Sequence, residues 1–163
     1  MAAALIVLYP GPSTTHLALT VRSARLPQHP GQVSLPGGAV EPGESIETAA
    51  LREAHEEVAL DPSIVRVIGR LSPFHIPVSG FVLYAVVGAV DRFPGLHPEA
   101  TEVARVLDVP LPVLADPITV RTRLRVHEGR EYEVPYFAID GEQVWGATAM
   151  VLAEFLTVLG LDK

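Results

Sequence analysis

The 163-residue chain contains no cysteine, which excludes a disulfide framework and is compatible with the reducing cytoplasm in which we expect the protein to reside. Without cysteine, and without two closely spaced histidines, it also offers no dedicated zinc site. Long hydrophobic runs are missing too. The stretch AAALIVLYP has no basic region ahead of it and is too short for an export signal, and FVLYAVVGAV is about half of what a membrane span requires, so no membrane partner is expected. Positive charge is scarce. Twelve Lys and Arg face 19 Asp and Glu, and the net charge of −7 disfavours nucleic acid, whose backbone calls for a basic surface. There is no internal repeat, low-complexity tract or linker, and nothing specifies an oligomeric state. The composition permits a single domain over residues 1–163, with 48% hydrophobic residues to fill its core.

The most informative stretch is GGAVEPGESIETAALREAHEEVAL, residues 37–60. Ser45 follows Pro42-Gly43 and suits an N-cap, because its hydroxyl can accept from a free amide of the first turn; Glu47 then sits where the helix dipole favours negative charge. A helix is expected from Ser45 or Ile46 to Val58. At roughly 100° per residue, Ala50, Leu51, Ala54 and Val58 share an apolar arc that can pack on a sheet. Glu53, Glu56 and Glu57 share another. Their i, i+3, i+4 spacing stacks carboxylates on adjacent turns, which destabilises by a few tenths of a kcal/mol per pair unless a cation neutralises them. Oxygen-only ligands suit a hard ion, Mg²⁺ or Mn²⁺. Arg52, four residues before Glu56, can orient that carboxylate by a charge-assisted hydrogen bond.

Alone, an E-x-x-E-E run is commonly a solvated helix face. The residues upstream change that reading. Gly38, five residues, Glu44, seven residues, Arg52-Glu53, two residues and Glu56-Glu57 form a spacing that resembles the signature of the Nudix hydrolases. The resemblance implies an α+β Nudix fold, an α/β/α sandwich with a mixed β-sheet. It implies metal-dependent attack of water on a diphosphate, with catalytic residues Arg52, Glu53, Glu56, Glu57 and Glu102. It also implies a metal site of Gly37, Gly38, Glu53, Glu56 and Glu57 for Mg²⁺ or Mn²⁺, and a small-molecule nucleoside diphosphate substrate. The general base is Glu53 from the box or Glu102 from a later loop. The family usually has glycine where this chain has Ala59, and alanine is expected to resist a left-handed helix end.

A narrower resemblance precedes the box. LTVRS followed by HPGQVSLPGG is similar to the extra motif of the coenzyme A pyrophosphatase branch, matching at Leu19, Thr20, Arg22, Ser23, Gly31, Pro36, Gly37 and Gly38. Pro27 stands where the branch commonly has arginine, Ala18 replaces a leucine and Leu35 a phenylalanine, with Arg25 nearby as a possible substitute. This implies hydrolysis of coenzyme A or its derivatives to 3′,5′-ADP and 4′-phosphopantetheine, with Arg22, Ser23, Arg25, His29 and Gly31 binding substrate. The alternatives are a Nudix pyrophosphatase for ADP-ribose or another nucleoside diphosphate derivative, and a silent binding module. Such modules typically lose box carboxylates, and this chain keeps Glu44, Glu53, Glu56 and Glu57.

Elsewhere the pattern predicts a hairpin of strands 2–9 and 16–21, an ordered loop over 22–36, a strand over 64–71, a loop over 72–80, and a central strand over 81–90 buried on both faces. A polar loop over 91–101 ends at Glu102 before the strand-like VARVLDV, and a helical turn is expected at 111–115. A hairpin of 119–126 and 131–139 and a closing apolar helix follow.

Overall fold

The computed structural model describes residues 1–76 and 80–161. Its centre is β1 (Ala2–Pro10), which pairs antiparallel with β2 (Thr15–Arg22) across the expected turn. Two short strands follow, β3 (Val33–Ser34) on β2 and β4 (Gly37–Ala39) on β1. Helix α1 (Ile46–Val58) leads to β5 (Arg66–Arg70), β6 (Phe74–Ile76) and β7 (Phe81–Ala89). Strand β7 lies between β1 and β5, parallel to the first and antiparallel to the second, so the eight-stranded sheet is mixed. It is central as expected, but it is fully buried only from Ala85 to Gly88, and Phe81 is exposed.

β8 (Val103–Pro110) pairs with β2, and the turn α2 (Leu111–Leu114) leads to β9 (Val120–His127), β10 (Arg130–Ile139) and β11 (Glu142–Trp145). The last three form a separate sheet, followed by α3 (Gly146–Val158). Of the strand expected over 64–71, Ile64 belongs to a 3-10 turn, Arg66–Arg70 form a solvent-exposed edge strand, and Leu71 is buried in the core. Inside the loop expected over 72–80, residues 74–76 pair with β7, while 77–79 lie outside the described residues.

Strand β1 shows why the sheet is covered on both sides. Alternate side chains point to opposite faces of a strand. Ala3, Leu5, Val7 and Tyr9 join one core with Ala49, Ala50, Ala54 and Val58 of α1. Ala4 and Ile6 join the other with Phe137, Ile139 and Val144 of the small sheet and Val151, Leu152 and Phe155 of α3. This is the layered α+β arrangement, with the small sheet sharing the second layer. Three alanines let α1 lie close on the sheet, and burying Val58 contributes about 1.5–3 kcal/mol.

Candidate active site

Local chemistry sets both ends of α1. The Ser45 hydroxyl accepts the Thr48 amide at 3.1 Å, as its sequence position predicts. At the other end Ala59 is left-handed, with φ 56° and ψ 27°, and the Leu60 amide reaches back to the Ala54 carbonyl at 3.4 Å. The expected resistance of alanine is overridden because Leu60, fully buried in the α1 core, anchors the chain beyond the helix. Amides of the 91–102 loop satisfy two further helix-end carbonyls, His97 to Val58 at 3.0 Å and Glu99 to Glu57 at 2.8 Å. That docking carries Glu102 toward the box.

Arg52 is the hub of this corner. Its Nε and Nη2 donate to the two Glu44 oxygens at 2.9 and 3.1 Å, and its Nη1 donates to Glu53 at 3.0 Å and Glu56 at 3.2 Å. Nη2 also reaches the Ala39 carbonyl at 3.0 Å. The Arg52 hydrogen bond holds the Glu44 carboxyl below the usual carboxylate range. Glu44 is the box residue whose part was not foreseen. Its spacing was visible, but that it grips Arg52 rather than a ligand depends on the 41–44 turn, where it also accepts the Glu41 amide at 3.1 Å.

The three stacked glutamates part company. Glu56 turns outward onto Arg52, with its side chain 55% exposed. Glu57 is buried at 3% exposure and accepts the Gly37 amide at 3.0 Å. Burial, reinforced by the charges of Glu53 and Glu102 and opposed by that amide and by Arg22, pushes the Glu57 carboxyl up to about 7. Glu53 is raised as well, by burial first, against the pull of Arg52. A side chain at position 38 would overlap the Glu53 carboxylate, and one at position 37 would overlap the β1 backbone at Ala3 and Ala4. The two glycines are thus needed for close approach of Glu53 and of β1, respectively.

Among the described residues, no three His, Asp or Glu side chains converge as they stand on a single ion position. The donors nevertheless fit a hard divalent cation. Glu53 and Glu57 are partly desolvated and repel one another, and the missing side chain of Gly38 leaves room for the Glu53 carboxylate. With Glu56 they are the residues that would hold it.

Of the residues assigned to substrate, Arg22 lines a hollow of about 140 Å³ together with Ser34, Leu35, Gly37, Gly38 and Thr148. Its Nε is buried and has no partner among the described residues. Ser23 is buried and donates its amide to the Glu102 carbonyl at 2.8 Å, tying this loop to the other. Gly31, with φ 68°, donates to the Arg22 carbonyl at 3.1 Å and lies in a second hollow. Arg25 and His29 are exposed and line neither hollow.

The NUDIX domain family model matches residues 1–114. The chain belongs to the Nudix family. It is 39% identical over 151 residues to the Nudix hydrolase NudL of Enterobacter sp. strain 638, covering 89% of this chain and 76% of that one. It is 40% identical over 153 residues to NudL of Citrobacter koseri, with the same coverage. Among solved structures it resembles RenU, a Nudix hydrolase from M. smegmatis, at TM-score 0.60 and 26% identity over 78% of this chain and 76% of that one. The protein is therefore a Nudix hydrolase, and Nudix hydrolases generally use divalent metals such as Mg²⁺ or Mn²⁺. The Nudix match ends at α2, so the small sheet and α3 lie beyond it. Among the described residues, no helix is long and apolar enough to cross a membrane.

Proposed function

We propose that this Nudix hydrolase cleaves the diphosphate bond of coenzyme A or its derivatives, giving 3′,5′-ADP and 4′-phosphopantetheine. The observation that carries this reading is Arg22. In an acidic protein the loop that resembles the coenzyme A motif brings a guanidinium, whose buried Nε has no partner among the described residues, beside Gly37, Gly38 and the charge of Glu57. A planar donor there suits a diphosphate oxygen.

In the reaction, water attacks one phosphorus, a new P–O bond forms, and the bridging P–O bond breaks. Glu53 or Glu102 takes the water's proton. Arg52 holds Glu53 and Glu56 in place before substrate arrives, and Glu57 is held by Gly37. A divalent cation bound by Glu53, Glu56 and Glu57 would offset the charge of the diphosphate and lower the pKa of the attacking water.

The test is kcat/KM on coenzyme A against ADP-ribose at one metal and salt concentration. Coenzyme A is expected to be preferred. A preference for ADP-ribose of tenfold or more, about 1.4 kcal/mol of transition-state discrimination, would overturn the assignment in favour of an ADP-ribose pyrophosphatase.

A further inference from the structure

On the face of the small sheet away from the core, Arg123 and Arg125 of β9 lie across from Trp145 of β11. The Arg125 guanidinium carbon is 3.7 Å from the Trp145 ring centroid, and that of Arg123 is 5.2 Å from it and 5.9 Å from the Tyr136 centroid. Such stacking fixes the plane of a guanidinium while leaving its edge donors free. Arg123 gives one donor to Gln143, but its Nε and Nη2 are buried with no partner among the described residues. Neither arginine has an ion-pair partner among those residues. Glu142, which lines the same hollow, is spent on Arg105 at 2.8 Å. Two cations two residues apart on one strand face, without an ion-pair partner among the described residues and with buried unmet donors on Arg123, are costly unless an anion joins them.

The space beside them is open. A hollow of about 440 Å³ is lined by Arg123, Arg125, Gln143 and Trp145, by Glu142, whose carboxylate is held by Arg105, and by residues 30–32. It and the box hollow have no lining residue in common, but their linings adjoin along the chain at two places. Residues 30–32 run directly into Ser34 and Leu35, and Trp145 starts the turn that leads to Thr148, whose hydroxyl donates to the Val33 carbonyl at 3.3 Å. Gln32 and Ser34 are about 7 Å apart along an extended chain, a separation that one ribose with its flanking phosphates can bridge.

We propose that this hollow is an anion subsite that receives a phosphomonoester on the substrate's nucleoside, the 3′-phosphate when the substrate is coenzyme A. Arg123 and Arg125 grip its oxygens, and Trp145 holds Arg125 in plane. The assignment rests on the diphosphate-hydrolase reading above and gives the discriminating role to these residues instead of Arg25 and His29.

Two measurements test it, and they fail separately. In the first, the Arg123→Gln/Arg125→Gln double variant is compared with the parent enzyme on coenzyme A and on dephospho-coenzyme A. We expect kcat/KM to fall about tenfold or more on coenzyme A, the size of one lost charge-assisted hydrogen bond, with little change on dephospho-coenzyme A. An equal fall on both overturns the subsite and leaves the proposed function standing. Arg125→Gln alone, at an exposed position, repeats the comparison if the double variant does not fold. The second measurement needs no turnover. Trp145 is the chain's single tryptophan, so its fluorescence reports ligand at this site directly. In EDTA, 3′,5′-ADP is expected to change the emission of the parent protein at concentrations where 5′-AMP and inorganic phosphate do not, and to lose that effect in Arg125→Gln. If all three ligands act alike, or none acts, the subsite assignment is overturned. If the protein hydrolyses no diphosphate yet 3′,5′-ADP still binds selectively, the subsite survives and the proposed function does not.

Discussion

Arg52 and Arg123 are both half-buried arginines, and they are set in opposite ways. Arg52 spends its donors inside the chain, on Glu44, Glu53, Glu56 and the Ala39 carbonyl. Arg123 keeps two buried donors without a partner among the described residues. A fully engaged arginine is a strut that fixes its neighbours before any ligand arrives. An arginine with unmet donors is poised to bind something else, because leaving them unmet costs stability. The box corner is thus organised for positioning, and the Trp145 corner for recognition.

The sharpest way to test the positioning side is to remove its most buried charge. Glu57→Gln keeps the shape of the side chain and its capacity to accept from Gly37, but loses the charge that would neutralise a cation. We expect kcat to drop by at least about a hundredfold, as when a charge-stabilising group is lost, and activity to vanish in excess EDTA. A near-normal Glu57→Gln enzyme would show that the cation is held elsewhere.

The same residue gives a stability signature without substrate. Its ordinary pKa is 4.5, and in the folded chain it is about 7. Below pH 4.5 both states are protonated. Between the two values the folded state keeps a proton that the unfolded state has released, so stability falls as pH rises, by on the order of 3 kcal/mol across the window. In EDTA, the stability of the parent protein to chemical denaturation should fall from pH 5 to 8 relative to Glu57→Gln, and added Mg²⁺ should reverse the loss. Parallel curves for the two proteins would mean that the carboxylate is not buried in solution.

A smaller effect is expected from Arg52→Lys. The charge survives, but one ammonium cannot grip both oxygens of Glu44 and reach Glu53, Glu56 and the Ala39 carbonyl together. Misplaced carboxylates should lower kcat by about tenfold with KM little changed. If KM rose and kcat held, Arg52 would be contacting substrate and the contrast with Arg123 would collapse.

How far these corners were legible in the sequence differs for a physical reason. The helix, its Ser45 cap and the Arg52–Glu56 pair are local, set by neighbours within one or two turns, and the spacing alone predicted them. Glu57 was placed on the right face, but its burial depends on β4 lying over it, so Glu53, Glu56 and Glu57 read as equivalent when they are not. The strands β3, β4 and β6, of two or three residues each, are too short to show an alternating pattern. Arg123 and Trp145 belong to strands that meet only through β10. Alternating arginines in RTRLR were the one available signal, and on a strand that signal commonly marks a solvated face. Arg25 and His29 lie near the box in sequence and are exposed in the fold.

The smallest effect separates scaffold from chemistry within the box corner. Ala59 holds the left-handed conformation that the family usually gives to glycine, at φ 56°, and its Cβ then crowds the following carbonyl, at a cost of roughly 1 kcal/mol. Glycine at 59 removes that strain but is itself more flexible when unfolded, which returns part of the gain. Ala59→Gly should therefore stabilise the protein by about 0.5 kcal/mol, a rise in Tm of about 1–2 °C for a domain of this size. The substitution touches no charge and leaves the Leu60 anchor in place, so kcat and KM should stay unchanged. A stability gain with unaltered kinetics would show that the helix end bears only on the fold. If kcat changed as well, the end of α1 would be moving Glu57 or the Glu99–Glu102 segment docked on it, and the corner would be less rigid than the web of hydrogen bonds around Arg52 implies.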